Sequence, residues 1–174
     1  SYISNNISLL SSHLLKSPSD MALRKATSTT DGDLLLLVNS TDGSLATYSI
    51  LRGQNVIAPS LSTTDGEFLN VGVDVDQIYF TIKRTISSAD KYYVECFNDD
   101  NTTDSAKLLS GVNKPSTTTV TGLSHIEGKT VKVVVDDQMQ LDKTVSSGQI
   151  VLDAVPTTYV EIGLNYTPTI KTLP

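Results

Sequence analysis

Few residues in this sequence could carry out chemistry, and their spacing limits what they could do. There are two histidines, His13 and His125, and neither has a second His or a Cys at the short spacing a metal site needs. Cys96 is the single cysteine, which excludes an internal disulfide and a Cys pair for a metal. It falls in the strand-like run 91–97, where a buried, inert thiol is expected, and nothing local supports pairing it with a remote His as a nucleophile. His125 and Glu127 form an acid/base pair on paper. In the turn Leu123-Ser124-His125-Ile126-Glu127-Gly128, a histidine that caps the turn is the simpler role. Asp74 and Asp76 flank a strand junction and have the residue types of a glycosidase carboxylate pair, but aspartates in that position commonly form the turn itself.

The loop Asn98-Asp99-Asp100-Asn101-Thr102-Thr103-Asp104 offers Asp99, Asn101 and Asp104 as oxygen ligands of the kind a hard cation takes. The spacing does not follow the EF-hand pattern: the sharp-turn position has no glycine, and Gly111 rather than a glutamate lies near the end. A solvated turn fits better, and these three residues are the only metal candidates. No Gly-rich phosphate cradle, Walker-type lysine or nucleophile elbow is present. The expectation is therefore a protein with no catalytic residues, no cofactor and no small-molecule substrate.

The 174-residue chain has room for one substantial domain or two small ones. It is 39% hydrophobic and 18% charged, the composition of a folded chain rather than a disordered one. Nineteen acidic against thirteen basic side chains give a formal charge of −6, and no Lys/Arg cluster reverses that locally, which disfavours stable binding to DNA or anionic lipid. Seven Tyr, three Phe and no Trp argue modestly against a sugar-stacking platform without excluding one built on Tyr92 or Tyr93. No run is long and apolar enough to cross a bilayer as a helix. The start lacks the positive region of a signal peptide, and the way the chain begins and stops suggests a fragment.

These residues must be positioned by strands and turns. One short N-terminal helix is expected, capped by Asn5 or Asn6, with Ile7, Leu10, Leu14 and Leu15 on one face and Pro18 ending it. After it the pattern becomes all-β. Leu34-Leu35-Leu36-Leu37-Val38, bounded by Asp31-Gly32 and Asp42-Gly43, has the pattern of a strand buried on both faces. Residues 77–85 alternate, with Ile78, Phe80 and Ile82 opposing Tyr79, Thr81 and Lys83. Tyr92, Val94 and Cys96 oppose Tyr93, Glu95 and Phe97 in the next strand.

The unit Ser28-Thr29-Thr30-Asp31-Gly32-Asp33-Leu34-Leu35 is echoed by Ser62-Thr63-Thr64-Asp65-Gly66-Glu67-Phe68-Leu69. That is a period of about 34 residues, near that of a small propeller blade. The expected organisation is a helical lead-in at 1–20, propeller-blade-like antiparallel strands at 21–100, a polar linker at 101–116, and a small β-barrel or sandwich at 117–174. An unclosed sheet has edges that something must cover.

Two stretches resemble the tail nozzle proteins (tail tubular, or head-to-tail stabilisation proteins) of short-tailed bacteriophages. One runs from Asp42-Gly43-Ser44-Leu45-Ala46-Thr47-Tyr48 through Gln54-Asn55-Val56-Ile57-Ala58 to Thr64-Asp65-Gly66-Glu67-Phe68. The other comprises Gly122-Leu123-Ser124-His125-Ile126-Glu127-Gly128-Lys129-Thr130-Val131 with Asp136, Thr144-Val145-Ser146-Ser147-Gly148-Gln149-Ile150, Val160-Glu161-Ile162-Gly163-Leu164-Asn165-Tyr166-Thr167, and Ile170-Lys171-Thr172-Leu173-Pro174. It is similar to a small β domain inserted in those nozzle propellers. Pro59-Ser60-Leu61 departs from the pattern, because the family usually places an aromatic after the alanine.

The resemblance implies a non-catalytic structural component of the virion tail, assembled in the host cytoplasm. Copies would form a ring, typically a hexamer, beside adaptor proteins, with DNA as passing, non-specific channel contents during ejection and no membrane contact. Exposed edges would pair with neighbouring blades or subunits. A receptor- or glycan-binding tail module is the alternative function, and an envelope-degrading hydrolase would need two carboxylates roughly 5 to 9 Å apart in a cleft.

Overall fold

A computed structural model describes residues 6–28 and 31–170. The chain is all-β, with four antiparallel sheets, none of which closes on itself. It divides into two compact units, residues 1–85 with 90–97, and residues 86–89 with 98–174.

In the first unit, β1 (Pro18–Arg24), β2 (Asp33–Asn39), β3 (Leu45–Leu51) and β4 (Val56–Ser62) form a meander paired in chain order. β5 (Glu67–Asp74), β6 (Gln77–Ile86) and β7 (Ala89–Cys96) form a second sheet, also in chain order. Leu36, Val38 and Leu45 of the first sheet share a core with Phe68, Val71, Ile78, Phe80 and Ile82 of the second. The alternation in β6 is as expected, and the Phe80 ring stacks edge-on against both Phe68 and Phe97.

Side chains from the first sheet satisfy backbone groups on β5. The Asp20 carboxylate accepts from the Val71 N–H at 3.0 Å, and this bond holds its pKa below the ordinary value. Phe68 N–H donates to the Gly43 carbonyl at 2.9 Å.

The two echoed turns are not structurally equivalent. Arg24 of the preceding strand pairs with Asp31 at 3.0 Å. Arg84 of the following β6 pins the second copy through the Asp65 carbonyl at 2.9 Å. Gly66, in that second turn, has φ +152°, and a Cβ there would lie 2.3 Å from the Lys83 carbonyl oxygen. Only Asp42-Gly43 of the three Asp-Gly pairs sits in a tight hairpin turn, between β2 and β3. Other tight turns use Ser87-Ser88 and Asp136-Asp137, with both residues at positive φ, the backbone that right-twisted hairpins favour.

The expected N-terminal helix does not form. Residues 7–11 are turns and only Ser12–Leu14 is a single 3-10 turn; Asn5 lies outside the described residues. The Asn6 side chain accepts from the Ser8 N–H at 2.9 Å, a local bond that competes with helix. Of the face expected for it, Leu10 is exposed and Ile7, Leu14 and Leu15 are only half-buried, so little burial offsets nucleation.

The second unit takes in the whole of the expected linker. β8 (Asp104–Ser110) is followed by β9 (Thr119–Thr121), β10 (Thr130–Val135), β11 (Gln138–Met139), β12 (Lys143–Thr144), β13 (Gln149–Val151) and β14 (Tyr159–Leu164). The main sheet runs β11-β10-β14-β8 with β12 on β10, and β13 pairs β9. One core joins both sheets, drawing Val131, Val133 and Val135 from β10, Val160, Ile162 and Leu164 from β14, Val120 from β9 and Ile150 from β13. β8 was hidden because its sequence is polar. The buried Glu161 carboxylate fixes the segment leading into it, accepting from Thr102 N–H at 2.8 Å and Thr103 Oγ1 at 2.7 Å.

Arg84 is the largest fully buried side chain of the first unit. Its Nε and Nη2 donate to the two Glu95 oxygens at 2.7 Å each, a bidentate geometry that tolerates burial. Arg84→Met strands Glu95 against the core and is expected to lower unfolding free energy by about 2–4 kcal/mol in urea denaturation, with part recovered in Arg84→Met/Glu95→Leu.

Candidate functional site

Some of the groups with chemical potential are held by local contacts and others are exposed. His125 lies in the single 3-10 turn Ser124–Ile126, with its Nε2 3.1 Å from the Ser105 carbonyl. Glu127 does not pair with it. Its carboxylate turns instead to the Ser147 and Gly148 N–H groups, at 2.8 and 2.6 Å, and holds that tight turn. His13 is exposed in the first unit. Asp74 and Asp76 are exposed on either side of Val75, which adopts φ +58° in the β5–β6 turn.

In the 98–104 loop, the Asn98 side chain accepts from Asp100 N–H at 2.9 Å, and Asp104 accepts from Ser105 N–H at 2.9 Å. Asp99 is exposed, whereas Asn101 and Asp104 are half-buried. Among the described residues, no three His, Cys, Asp or Glu side chains gather in a way that could hold a metal. The carboxylate that organises the loop is Glu161, which sequence reading passed over because it sits sixty residues away in an apolar strand.

Cys96 is exposed, contrary to expectation. β7 is an edge strand, and the row Tyr92, Val94, Cys96 points away from the Phe80–Phe97 stack. A shallow groove of about 300 Å³ crosses that outer face, lined by Asn70, Val71, Gly72, Tyr79, Phe80, Thr81 and Val94. Its lining has no carboxylate, so it lacks the chemistry of a glycosidase cleft.

The most unusual surface belongs to the four-stranded sheet. Residues paired across antiparallel strands share a face. The register therefore assembles Met21–Leu37–Ala46–Leu61 as one row and Leu23–Leu35–Tyr48–Pro59 as the next, with Asp33–Ile50–Ile57 beyond them. No side chain of the first two rows carries a charge, and Asp33 in the third pairs with Arg52 at 3.0 Å. The face turned to the core is more polar, with the rows Asp20–Val38–Leu45–Ser62, Ala22–Leu36–Thr47–Ser60 and Arg24–Leu34–Ser49–Ala58. The N-terminal segment reaches the centre of the apolar face, where Ser11 Oγ donates to the Tyr48 hydroxyl at 3.1 Å and both residues are buried. The flanks stay open: Met21 is 69% exposed, and Leu23, Ile57 and Leu61 are close to 40%. Contiguous apolar surface of this kind marks an interaction site.

No protein-family model and no curated protein matches this chain.

Two aspartates act as turn clamps, and their titration follows from their contacts. Asp136 accepts from Thr158 Oγ1 and from the Thr157, Thr158 and Tyr159 N–H groups, at 2.6 to 3.1 Å. These bonds hold its carboxyl far below the usual range. Asp42, bonded to Lys16 Nζ and to the Ser44 hydroxyl and N–H, is lowered to about 2. A folded pKa below the unfolded value near 3.9 means that the stabilisation is fully present above that value. It is lost as pH falls through it toward the folded pKa. Asp136→Asn is thus expected to cost most at pH 7 and progressively less below about pH 4, read as urea midpoints against pH.

Proposed function

We propose that this chain is a non-catalytic wall element of a larger assembly. Following the nozzle resemblance, we read it as part of a short-tailed phage tail, packed in a ring around the DNA exit channel. The observation that carries the wall reading is the pair of uncharged rows on the outer face of β1–β4. Sheets stack about 10 Å apart through such faces, and the open flanks of a partly covered apolar face are matched by another sheet better than by water or a charged polymer. A four-stranded meander paired in chain order is also the layout of a propeller blade, and the second unit, with one filled core, has the proportions of a small barrel. The net charge of −6 suits a surface past which DNA slides without sticking. In this reading the virion is the location, and the partners are further copies and neighbouring tail proteins.

The groove over Gly72 favours a second reading, a glycan-binding tail module. Tyr79 is 41% exposed there, and Asn70 and Thr81 provide polar groups beside its ring. Tyr79→Ala abolishing binding on a glycan array would support it; an array with no specific signal for the unmodified chain would remove it.

The wall reading is tested by light scattering over a concentration series. The unmodified chain is expected to gain mass with concentration. Met21→Lys and Leu61→Lys, each placing a charge on the apolar rows, are expected to weaken association roughly tenfold or more. Equal masses for all three proteins at every concentration would contradict it.

A further inference from the structure

β4 is an edge strand, hydrogen-bonded among the described residues to β3 alone. It pairs in unbroken register over seven positions, from Leu45↔Ser62 to Leu51↔Val56, with no bulge. Val56 to Leu61 are all exposed. A long, regular, apolar edge of this kind is a template for a fifth strand from another chain. Pro59 sits at its centre, opposite Tyr48.

Proline has no N–H to donate, so a regular ladder accepts it only where that group would face away from the neighbouring strand. The Tyr48–Pro59 pair is therefore a non-hydrogen-bonded one. By the two-residue period, Ile57 and Leu61 turn their N–H groups to the same free edge. We infer that Pro59 closes this edge to strand addition. It removes the middle one of three outward donors and puts its ring where the backbone of an arriving strand would lie. Ile57 and Leu61 then offer side chains to a partner through the sheet face while their backbone edge stays unextended. The inference stands on the geometry of β4 and holds whatever covers the face.

The test restores the donor. Pro59→Val and the smaller Pro59→Ala are compared with the unmodified chain by residue-resolved amide hydrogen exchange at low and high concentration, after circular dichroism confirms that they fold. In the variants, Ile57 and Leu61 amides are expected to exchange roughly tenfold more slowly at high concentration than at low. In the unmodified chain both should stay fast throughout. Fast Ile57 and Leu61 exchange in both variants would overturn the inference, including when the variants associate, since growth would then run through the face. Slow exchange at these amides in the unmodified chain would overturn it equally, because the edge would be occupied despite the proline.

Discussion

Side chains on a strand point alternately to two faces, so a strand such as β2, with Leu34, Leu36 and Val38 on one side and Leu35 and Leu37 on the other, needs a neighbour on each. Among the described residues of the first unit, the sheet β5–β7 supplies one of those neighbours in full, and the N-terminal segment covers the centre of the other face at Tyr48. The face that receives it includes Asp20, Arg24, Thr47, Ser49, Ser60 and Ser62, whereas the two central rows of the face left partly open have none but apolar side chains and Tyr48, with Asp33 in the row beyond. Burial of apolar area contributes about 25 cal/mol per Å², so the arrangement leaves a favourable contact unmade at the outer rows. That imbalance is the physical basis for reading the chain as a component, because a self-sufficient sheet would carry the opposite polarity.

The remaining architecture makes that sheet rigid. Asp20 and the Gly43 carbonyl occupy backbone donors of β5, and the Arg84–Glu95 pair ties β6 to β7 and to the turn at Asp65. In the second unit the carboxylates do similar work: Asp136, Glu127 and Glu161 each collect two or more donors from a loop distant in sequence. Of the acidic side chains weighed for catalysis or metal binding, Glu127 and Asp104 receive backbone N–H groups, whereas Asp74, Asp76 and Asp99 are exposed.

What was legible in the sequence follows from which interactions are local. Two-residue periodicity survives folding, so the faces of β6 and β10 and the doubly apolar β2 could be read directly. The Leu34–Val38 run reads as buried on both faces, whereas Leu35 and Leu37 are only half-buried. Helix at residues 7–15 was misread because helical spacing of Ile7, Leu10 and Leu14 reports a possible face, whereas the Asn6–Ser8 bond and the Ser11–Tyr48 contact favour turns there. β8 was misread as linker because its place depends on Glu161 and β14, which no local pattern reveals. Cys96 was misjudged for a related reason. Alternation shows which residues share a face, whereas sheet order decides that the Tyr92–Val94–Cys96 row of β7 lies on an uncovered edge. The pairing of Glu127 with Ser147 and Gly148 rather than His125 is likewise a tertiary fact.

The chain contains two methionines, and both Met21, in the outer row of the first sheet, and Met139, in the β10–β11 hairpin, are 69% exposed. Oxidative footprinting across a concentration series therefore carries its own control. If the apolar rows are a packing face, Met21 oxidation slows as the chain associates while Met139 keeps its rate. Equal oxidation of the two at every concentration, in a chain that does associate, would show that this face stays in water and that the account built on it is wrong.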